Sequence, residues 1–229
     1  MSFKFDPKRI DRSLTQKVET LLKEFETNGV LRITQVGESV LRQPCNEFKG
    51  FLAPDLLRKL IHAMKVTMHK APGVGLAAPQ IDLGIQLAVI EDTSVDESWD
   101  PIAEDDAHET RHTPFFVIIN PTYEPVENSD GDVVETLFYE GCLSFHNYYA
   151  ARFRYHTIKA YWTDEKGRDH EEVLSGWPAR IFQHETDHLS GEIYIDKAII
   201  RSLSTASNLS KYDLDADIEH TAKQMGFEL

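Results

Sequence analysis

The amino-acid sequence predicts an α+β fold, in which antiparallel β-sheets pack around a central helix and further helices lie near the N- and C-terminal ends. Several segments repeat apolar residues at helical spacing. The extended segments are joined by short polar turns, which suit antiparallel pairs better than parallel ones. Helices and strands also follow one another in mixed order. Together these observations disfavour a doubly wound parallel sheet.

The N-terminal half is predicted to hold two helices and then two buried strands. Helical periodicity covers residues 14–30, which end at an Asn-Gly pair, and residues 54–71, which begin at a proline. Continuous apolar segments at 85–90 and 115–119 are typical of buried strands. An Asn-Pro pair directly after the second segment predicts that this strand ends there.

The C-terminal half is predicted to hold two hairpins and two helices. Residues 126–145 and 156–174 each place extended segments on both sides of a turn sequence. The central helix of the predicted fold begins near Ser175 and ends before Gly191. A last amphipathic helix is expected over 214–225.

Length and charge bound the class of protein. With 229 residues the chain can bury one sizeable core, so we expect a single domain over 1–229. Its core is expected at about 30–197, an acidic loop at about 91–113 and a C-terminal extension at about 198–229. The net charge of −14 disfavours DNA and membranes as partners. Without a signal-like or membrane-spanning segment, we expect a cytoplasmic protein, and we favour a monomer.

The segment 181–189 carries a metal-ligand pattern, His-Glu-x-x-His. On a helix, His184 and His188 lie one above the other and can point two imidazoles at one ion, with Glu185 beside them. Polar groups on a partly apolar helix face are tolerated where they are paired or bind a metal. Two hydrogen-bonded core histidines are the alternative, and a third ligand is needed to favour a metal.

Cys142 is the candidate third ligand. Catalytic zinc-type sites use three protein ligands, and one Cys with two His is an established set. Cys45 has no histidine nearby in the sequence, so we interpret it as a buried apolar residue. The glycines of the segment 73–80 permit a close backbone approach, but this segment lacks the Gly-Lys-Ser/Thr ending of a phosphate-binding loop. Nucleotide binding is therefore disfavoured.

Three motifs follow one another along the chain: GVGLAAPQ at 73–80, EGCLS at 140–144 and QHETDH at 183–188. Through them the sequence resembles the peptide deformylase family over about residues 30–197. The resemblance implies a metal-dependent hydrolase that removes the N-formyl group from the N-terminal formylmethionine of newly synthesised polypeptides and releases formate. Its partners would be N-formylmethionyl peptides, including nascent chains at the ribosome.

The same resemblance implies the role of each site residue. One divalent metal ion per chain would be held by Cys142, His184 and His188. Fe²⁺ would be the ion in cells, and Zn²⁺, Ni²⁺ or Co²⁺ would suit the same thiolate and imidazole donors. Glu185 would act as general base and then as general acid. The Gln80 side chain and the Leu143 backbone N–H would stabilise an oxyanion, although Gln80 has the alternative role of fastening its loop.

Substrate contacts also come from the resemblance. Six residues would line the substrate site: Gly73, Val74, Gly75, Gly141, Trp177 and Ile181. Ordinary core packing is the alternative for Val74, Trp177 and Ile181. The backbone at 73–75 and at 148–150 is expected to flank an extended peptide. Asp187 and Arg154 match family positions that support the ligands.

The sequence departs from the family pattern after the cysteine motif, where it has Phe145 and His146. Along an extended strand His146 would lie ~13 Å from Cys142, which predicts a position at the rim rather than a fourth ligand. Two other functions stay open. One is a His-Glu-x-x-His metallopeptidase, and the other is a non-catalytic homologue that binds the ribosome or the nascent chain.

Overall fold

The computed structural model describes residues 9–93 and 113–229. In these ranges the helices are α1 (Arg12–Asn28), α2 (Pro54–Lys70), α3 (Gly176–Leu189), α4 (Ala206–Tyr212) and α5 (Ile218–Met225). The strands are β1 (Gly75–Ala77), β2 (Leu87–Asp92), β3 (Thr113–Pro125), β4 (Glu135–Cys142), β5 (Phe145–Tyr155), β6 (Thr157–Thr163), β7 (Asp169–Ser175) and β8 (Ser204–Thr205). Most of the predicted acidic loop lies outside the described residues.

The strands form two antiparallel sheets. Five of them follow the order β1-β2-β3-β6-β7, and three follow the order β4-β5-β8. All the pairings between these strands are antiparallel. Helix α3, which carries the His-Glu-x-x-His sequence, contacts strands of both sheets. The predicted α+β fold with a central helix is confirmed.

Strands β1, β2 and β3 of the five-stranded sheet are buried on both faces because their side chains alternate between two apolar clusters. On β2, Leu87 and Val89 pack with α1 and α2, whereas Ala88 and Ile90 belong to the cluster around Phe182 of α3. Helix α3 therefore lies on the face opposite to the N-terminal helices. Its polar side chains are held in position by sheets on two sides.

Helices α1 and α2 confirm the helices predicted over 14–30 and 54–71, with ends shifted by at most two residues. The Asp11 side chain caps α1 by accepting a hydrogen bond from Leu14 N at 3.0 Å. Gly29 ends the helix with a φ of 71°, a conformation that glycine adopts without steric cost.

The predicted end of the second buried strand is wrong, because β3 continues through the Asn-Pro pair to Pro125. Asn120 adopts a positive φ of 50°, and the pairing register with β6 shifts between Ile119 and Thr122. Such a bulge accommodates a proline, which has no N–H to donate to the ladder. The Asn120 amide also bonds the backbone of Phe48 at 2.8 and 2.9 Å, which holds the bulge in place.

The first predicted hairpin has the wrong pairing. Around its turn sequence Glu127 and Val133 form an isolated bridge, and β4 pairs along its length with β5 instead. The chain turns back immediately after β4, so Cys142 faces Phe145 in register. His146 thus lies across a tight turn from Cys142, and the extended-strand distance of ~13 Å does not apply. The second predicted hairpin is confirmed as β6 and β7.

The C-terminal extension folds against the three-stranded sheet. Its apolar residues pack with Leu137 and Tyr139 of β4. The helix predicted over 214–225 is shorter, because the Asp217 side chain caps α5 by accepting from His220 N at 2.8 Å. Strand β8 and helix α4 were not predicted. No helix within the described ranges combines the length and the apolarity that crossing a bilayer requires.

Candidate metal-binding and catalytic site

Cys142, His184 and His188 converge at the point where the end of β4 meets α3. One potential ligand atom from each residue lies within 4.8 Å of the other two. Cys142 Sγ is 3.3 Å from His188 Nε2. Tetrahedral coordination with bonds of ~2.0–2.3 Å separates ligand atoms by ~3.3–3.6 Å. The three residues therefore fit a single transition-metal ion.

The two histidines differ in their surroundings. Burial lowers the pKa of His188 well below its ordinary value, which keeps the ring neutral, as a metal ligand must be. Burial alone would also lower the pKa of His184, but hydrogen bonds to Cys142 and Glu140 raise it to about 10, so this ring has to release a proton when it binds a metal ion. The ring of Tyr194 stacks on His184 with centroids 6.2 Å apart and an interplanar angle of 21°. One face of the His184 ring and its Nδ1 edge are thereby held in place.

Glu140 holds the ligand His184 in position and is itself bonded to two arginines. The sequence prediction gave it no role. Its Oε2 lies 3.0 Å from His184 Nδ1, which leaves Nε2 of that ring available as the ligand atom. Burial would raise the pKa of Glu140, but Arg154, His184 and Arg180 hold it well below its usual range. An acid inside the apolar run of β4 was the available signal, because a buried carboxylate requires charged or hydrogen-bonding partners.

Arg154 and Asp187, which match supporting positions in the family, contact each other directly. Arg154 Nη1 donates to Asp187 Oδ2 at 2.7 Å, and Arg154 Nη2 donates to Glu140 Oε2 at 2.9 Å. Tyr123 donates its hydroxyl to Asp187 Oδ1 at 3.2 Å. This buried network joins β3, β4 and β5 to α3.

Glu185 points its carboxylate toward the same space from the next position on α3. Burial raises the pKa of Glu185 to about 7. Its Oε2 is buried and has no hydrogen-bond partner among the described residues, and neither does Nδ1 of His188. A Cβ atom at Gly75 would lie 2.1 Å from Glu185 Oε1, so the glycine permits this close approach. The donor set and the unpaired carboxylate oxygen together fit a divalent metal ion and a reactive group beside it.

Gln80 has contacts that fit both of its predicted roles. Its Oε1 accepts from Ala77 N at 2.8 Å, which fastens the loop. Its Nε2 lies 3.5 Å from Cys142 Sγ and 3.2 Å from Ser144 Oγ. Ser144 N also donates to Cys142 Sγ at 3.4 Å. The turn that contains Leu143 therefore aims the Ser144 N–H at the cysteine sulfur, a contact that the sequence prediction missed.

An open cavity of about 370 Å³ lies next to this cluster. Its lining includes all six predicted substrate residues, namely Gly73, Val74, Gly75, Gly141, Trp177 and Ile181. Trp177 donates its indole N–H to Asp92 Oδ2 at 2.7 Å, which sets the orientation of the ring. Arg180 and Ala206 also line the cavity, and neither was predicted.

The expectation that β5 pairs with a peptide at 148–150 is not supported by the strand order. At this point β5 lies between β4 and β8, and Tyr149 is in register with both Gly141 and Ser204. Strand β1, in contrast, lies at the edge of the five-stranded sheet.

Cys45 is buried as predicted, and burial raises the pKa of its thiol to about 11.

A cysteine sulfur and two imidazoles beside a buried carboxyl group, at the base of an open cavity in an α+β fold, are typical of metal-dependent hydrolases. The sequence model of polypeptide deformylase matches residues 30–203. The chain therefore belongs to the polypeptide deformylase family of enzymes.

Individual relatives agree with this assignment. The chain is 49% identical to peptide deformylase 1 of Bifidobacterium longum, over 96% of this chain and 97% of that one. It is 39% identical to peptide deformylase 1 of Streptomyces coelicolor, over 94% of each chain. A Synechococcus elongatus deformylase solved with actinonin is similar, with a TM-score of 0.59, 29% identity and 87% of each chain covered. An Acinetobacter baumannii deformylase bound to Met-Ala-Ser has a TM-score of 0.60 and 30% identity, and covers 73% of this chain and 98% of its own.

Proposed function

We propose that this chain removes the formyl group from N-terminal formylmethionine and releases formate and a free amino terminus. One observation carries the proposal. The Cys142, His184 and His188 cluster, the unpaired carboxylate oxygen of Glu185 and a cavity of about 370 Å³ meet at one place. The solved relative bound to Met-Ala-Ser supports a peptide with an N-terminal methionine as the product.

The cavity suits an extended peptide. The edge strand β1 and the preceding residues Gly73 and Val74 offer backbone groups to such a chain, and this form of recognition adds a strand to a sheet edge. The methionine side chain is placed against Val74, Trp177 and Ile181, because these are apolar residues in the cavity lining. The formyl group then faces the cluster.

In the proposed reaction, Glu185 carries a proton, and Gln80 and Leu143 donate hydrogen bonds. Cys142, His184 and His188 would hold a divalent ion, which would supply Lewis-acid activation of water. Glu185 takes a proton from the attacking water at Oε2 while the water oxygen forms a bond to the formyl carbon. Glu185 then delivers the proton to the amine nitrogen as the C–N bond breaks, which releases formate and the free amine. A carboxyl group with a pKa near 7 is well matched to both transfers. Gln80 Nε2 and the Leu143 N–H donate to the formyl oxygen as it gains charge.

The identity of the ion and the cellular setting belong to the same proposal. Thiolate and imidazole donors accept Fe²⁺, Zn²⁺, Ni²⁺ and Co²⁺, and we propose Fe²⁺ as the ion in cells. Nascent chains in the cytoplasm are the proposed source of substrate. The monomeric state and the single-domain organisation stay predictions.

The test is formate release from formyl-Met-Ala-Ser by the metal-loaded parent, Glu185→Gln and Cys142→Ser, with metal content measured for each protein. We expect release by the parent, a loss of at least ~100-fold in Glu185→Gln with metal retained, and loss of metal in Cys142→Ser. Glu172→Gln, which changes an exposed glutamate, is the matched control.

Two outcomes would overturn the proposal in different directions. Cleavage of the peptide bond of unformylated Met-Ala-Ser would favour the metallopeptidase. Absence of formate from a metal-replete parent would favour a homologue that binds nascent chains without catalysis.

A further inference from the structure

We propose that residues 204–206 of the C-terminal extension form a wall of the catalytic cavity that selects the substrate residues following formylmethionine. The inference rests on the proposed deformylase function. It assigns a role to a segment that lies after the last of the three sequence motifs. Two independent observations support it, the strand pairing of β8 and the cavity lining by Ala206.

Strand β8 is built into the sheet that carries the cysteine ligand. Ser204 pairs with Tyr149 and Thr205 pairs with Tyr148. Ser202, two residues before the start of β8, is buried: its hydroxyl accepts from Ala151 N at 2.7 Å and donates to Ile199 O at 2.6 Å. The segment is therefore held by hydrogen bonds on several sides and does not lie loosely on the surface.

Ala206 follows β8 directly and lines the cavity together with His146 and Tyr148. Two strand spacings of ~4.8 Å separate β8 from β4, so Ala206 lies roughly 10 Å from the strand that ends in Cys142. An extended peptide advances ~3.3 Å per residue. In the proposed binding mode, a peptide that runs from the cluster toward β8 reaches Ala206 with about its third residue.

The wall is held in place through Tyr148, which pairs with Thr205 and is connected to the metal-ligand cluster by Tyr194. Tyr194 donates its hydroxyl to the backbone oxygen of Tyr148 at 2.9 Å, while its ring stacks on His184. The methyl side chain of Ala206 leaves room beside the exposed ring of Tyr148. A larger side chain at position 206 would occupy the space of the distal peptide residues, whereas in the proposed binding mode the formyl group lies at the Cys142 cluster and the methionine side chain lies against Val74, Trp177 and Ile181.

The test compares a short and a long substrate in Ala206→Trp. We expect the ratio of kcat/KM for formyl-Met-Ala-Ser to kcat/KM for formyl-Met amide to fall ~10-fold, mainly through KM, since a steric conflict with distal residues weakens binding. Asn208→Trp, which adds the same side chain at an exposed position of α4, is the control and leaves the ratio at the parent value. A parent-like ratio in Ala206→Trp overturns the inference.

A second variant protects the test against misfolding. Ala206→Gly widens the wall, and we expect it to raise kcat/KM for formyl-Met-Ala-Trp relative to formyl-Met-Ala-Ser. An unchanged preference in a folded Ala206→Gly protein, shown by a parent-like melting temperature, overturns the inference. Failure of the proposed function looks different, because the parent itself would then release no formate from either substrate.

Discussion

The contact between Gly75 and Glu185 gives the sharpest prediction for catalysis. A methyl group at position 75 would lie 2.1 Å from Glu185 Oε1, whereas ordinary contacts begin at 3.4 Å. The backbone of Gly75 does not have a positive φ, so alanine is compatible with the local conformation. The carboxylate must therefore retreat by roughly 1 Å, and a displacement of that size at a reacting group costs ~100-fold in rate.

The assay for Gly75→Ala is kcat for formate release, with metal content and melting temperature measured in parallel. We expect kcat to fall ~100-fold while the metal is retained, because none of the three ligands is touched. Gly84→Ala is the matched control, since a Cβ at Gly84 meets no atom within 4 Å. A folded, metal-replete Gly75→Ala protein with near-parent kcat would refute the role given to the Glu185 carboxylate and to its position.

Three further predictions concern the buried network, a turn and an amide. Arg154→Met leaves Glu140 undercompensated, so the free energy of unfolding in urea falls by about 3–5 kcal/mol, whereas Arg58→Met, on an exposed pair, changes it by less than about 1 kcal/mol. Equal losses would contradict this. Burial would raise the pKa of Asp164, but hydrogen bonds within its turn hold it below its ordinary value. Its stabilisation is therefore full above about pH 5 and lost as the pH falls below about 4, and urea midpoints of the parent and Asp164→Ala should converge at low pH. Gln80→Leu is expected to lower kcat by ~10²–10³ with the metal retained, and an unchanged kcat would reduce Gln80 to a loop contact.

The helices and the ligand cluster were predictable because their signals are local. The i, i+4 spacing of His184 and His188 places both rings on one face of α3, and apolar periodicity located α1 and α2 within two residues. Cys142 required a different argument, the need for a third ligand. The structure places it within 4.8 Å of both histidine ligand atoms.

The strand pairing of β4 was not predictable from its turn signal. The turn sequence at 128–131 favours a hairpin, but Val133 and Val134 remain exposed, so pairing there buries little apolar surface. Pairing with β5 instead buries Leu137 and Tyr139 against the C-terminal helices. The apolar surface that is buried when segments distant in sequence pack together outweighed the hairpin preference of the local turn sequence.

Two supporting residues of the site, Glu140 and Arg180, were missed for a related reason, whereas Arg154 and Asp187 were expected from the family resemblance. Glu140 is bonded to Arg180, 40 positions away, and to His184, 44 positions away. No local pattern specifies such pairs, because they depend on how β4 is placed against α3. The position of Ala206 depends in the same way on the addition of β8 to β5.

The residues of the site come from both sheets and from α3, so catalysis requires the complete fold. Cys142 comes from the three-stranded sheet, the histidines come from α3, and Gly75, which touches Glu185, comes from the five-stranded sheet. An ion bound only by the assembled form stabilises it by about 4 kcal/mol at 1,000 times its Kd. Such an ion would connect the end of β4 to α3. Its removal by a chelator should therefore speed amide hydrogen exchange first at the end of β4. A molecule whose sheets separate there loses activity while most of its secondary structure is still intact.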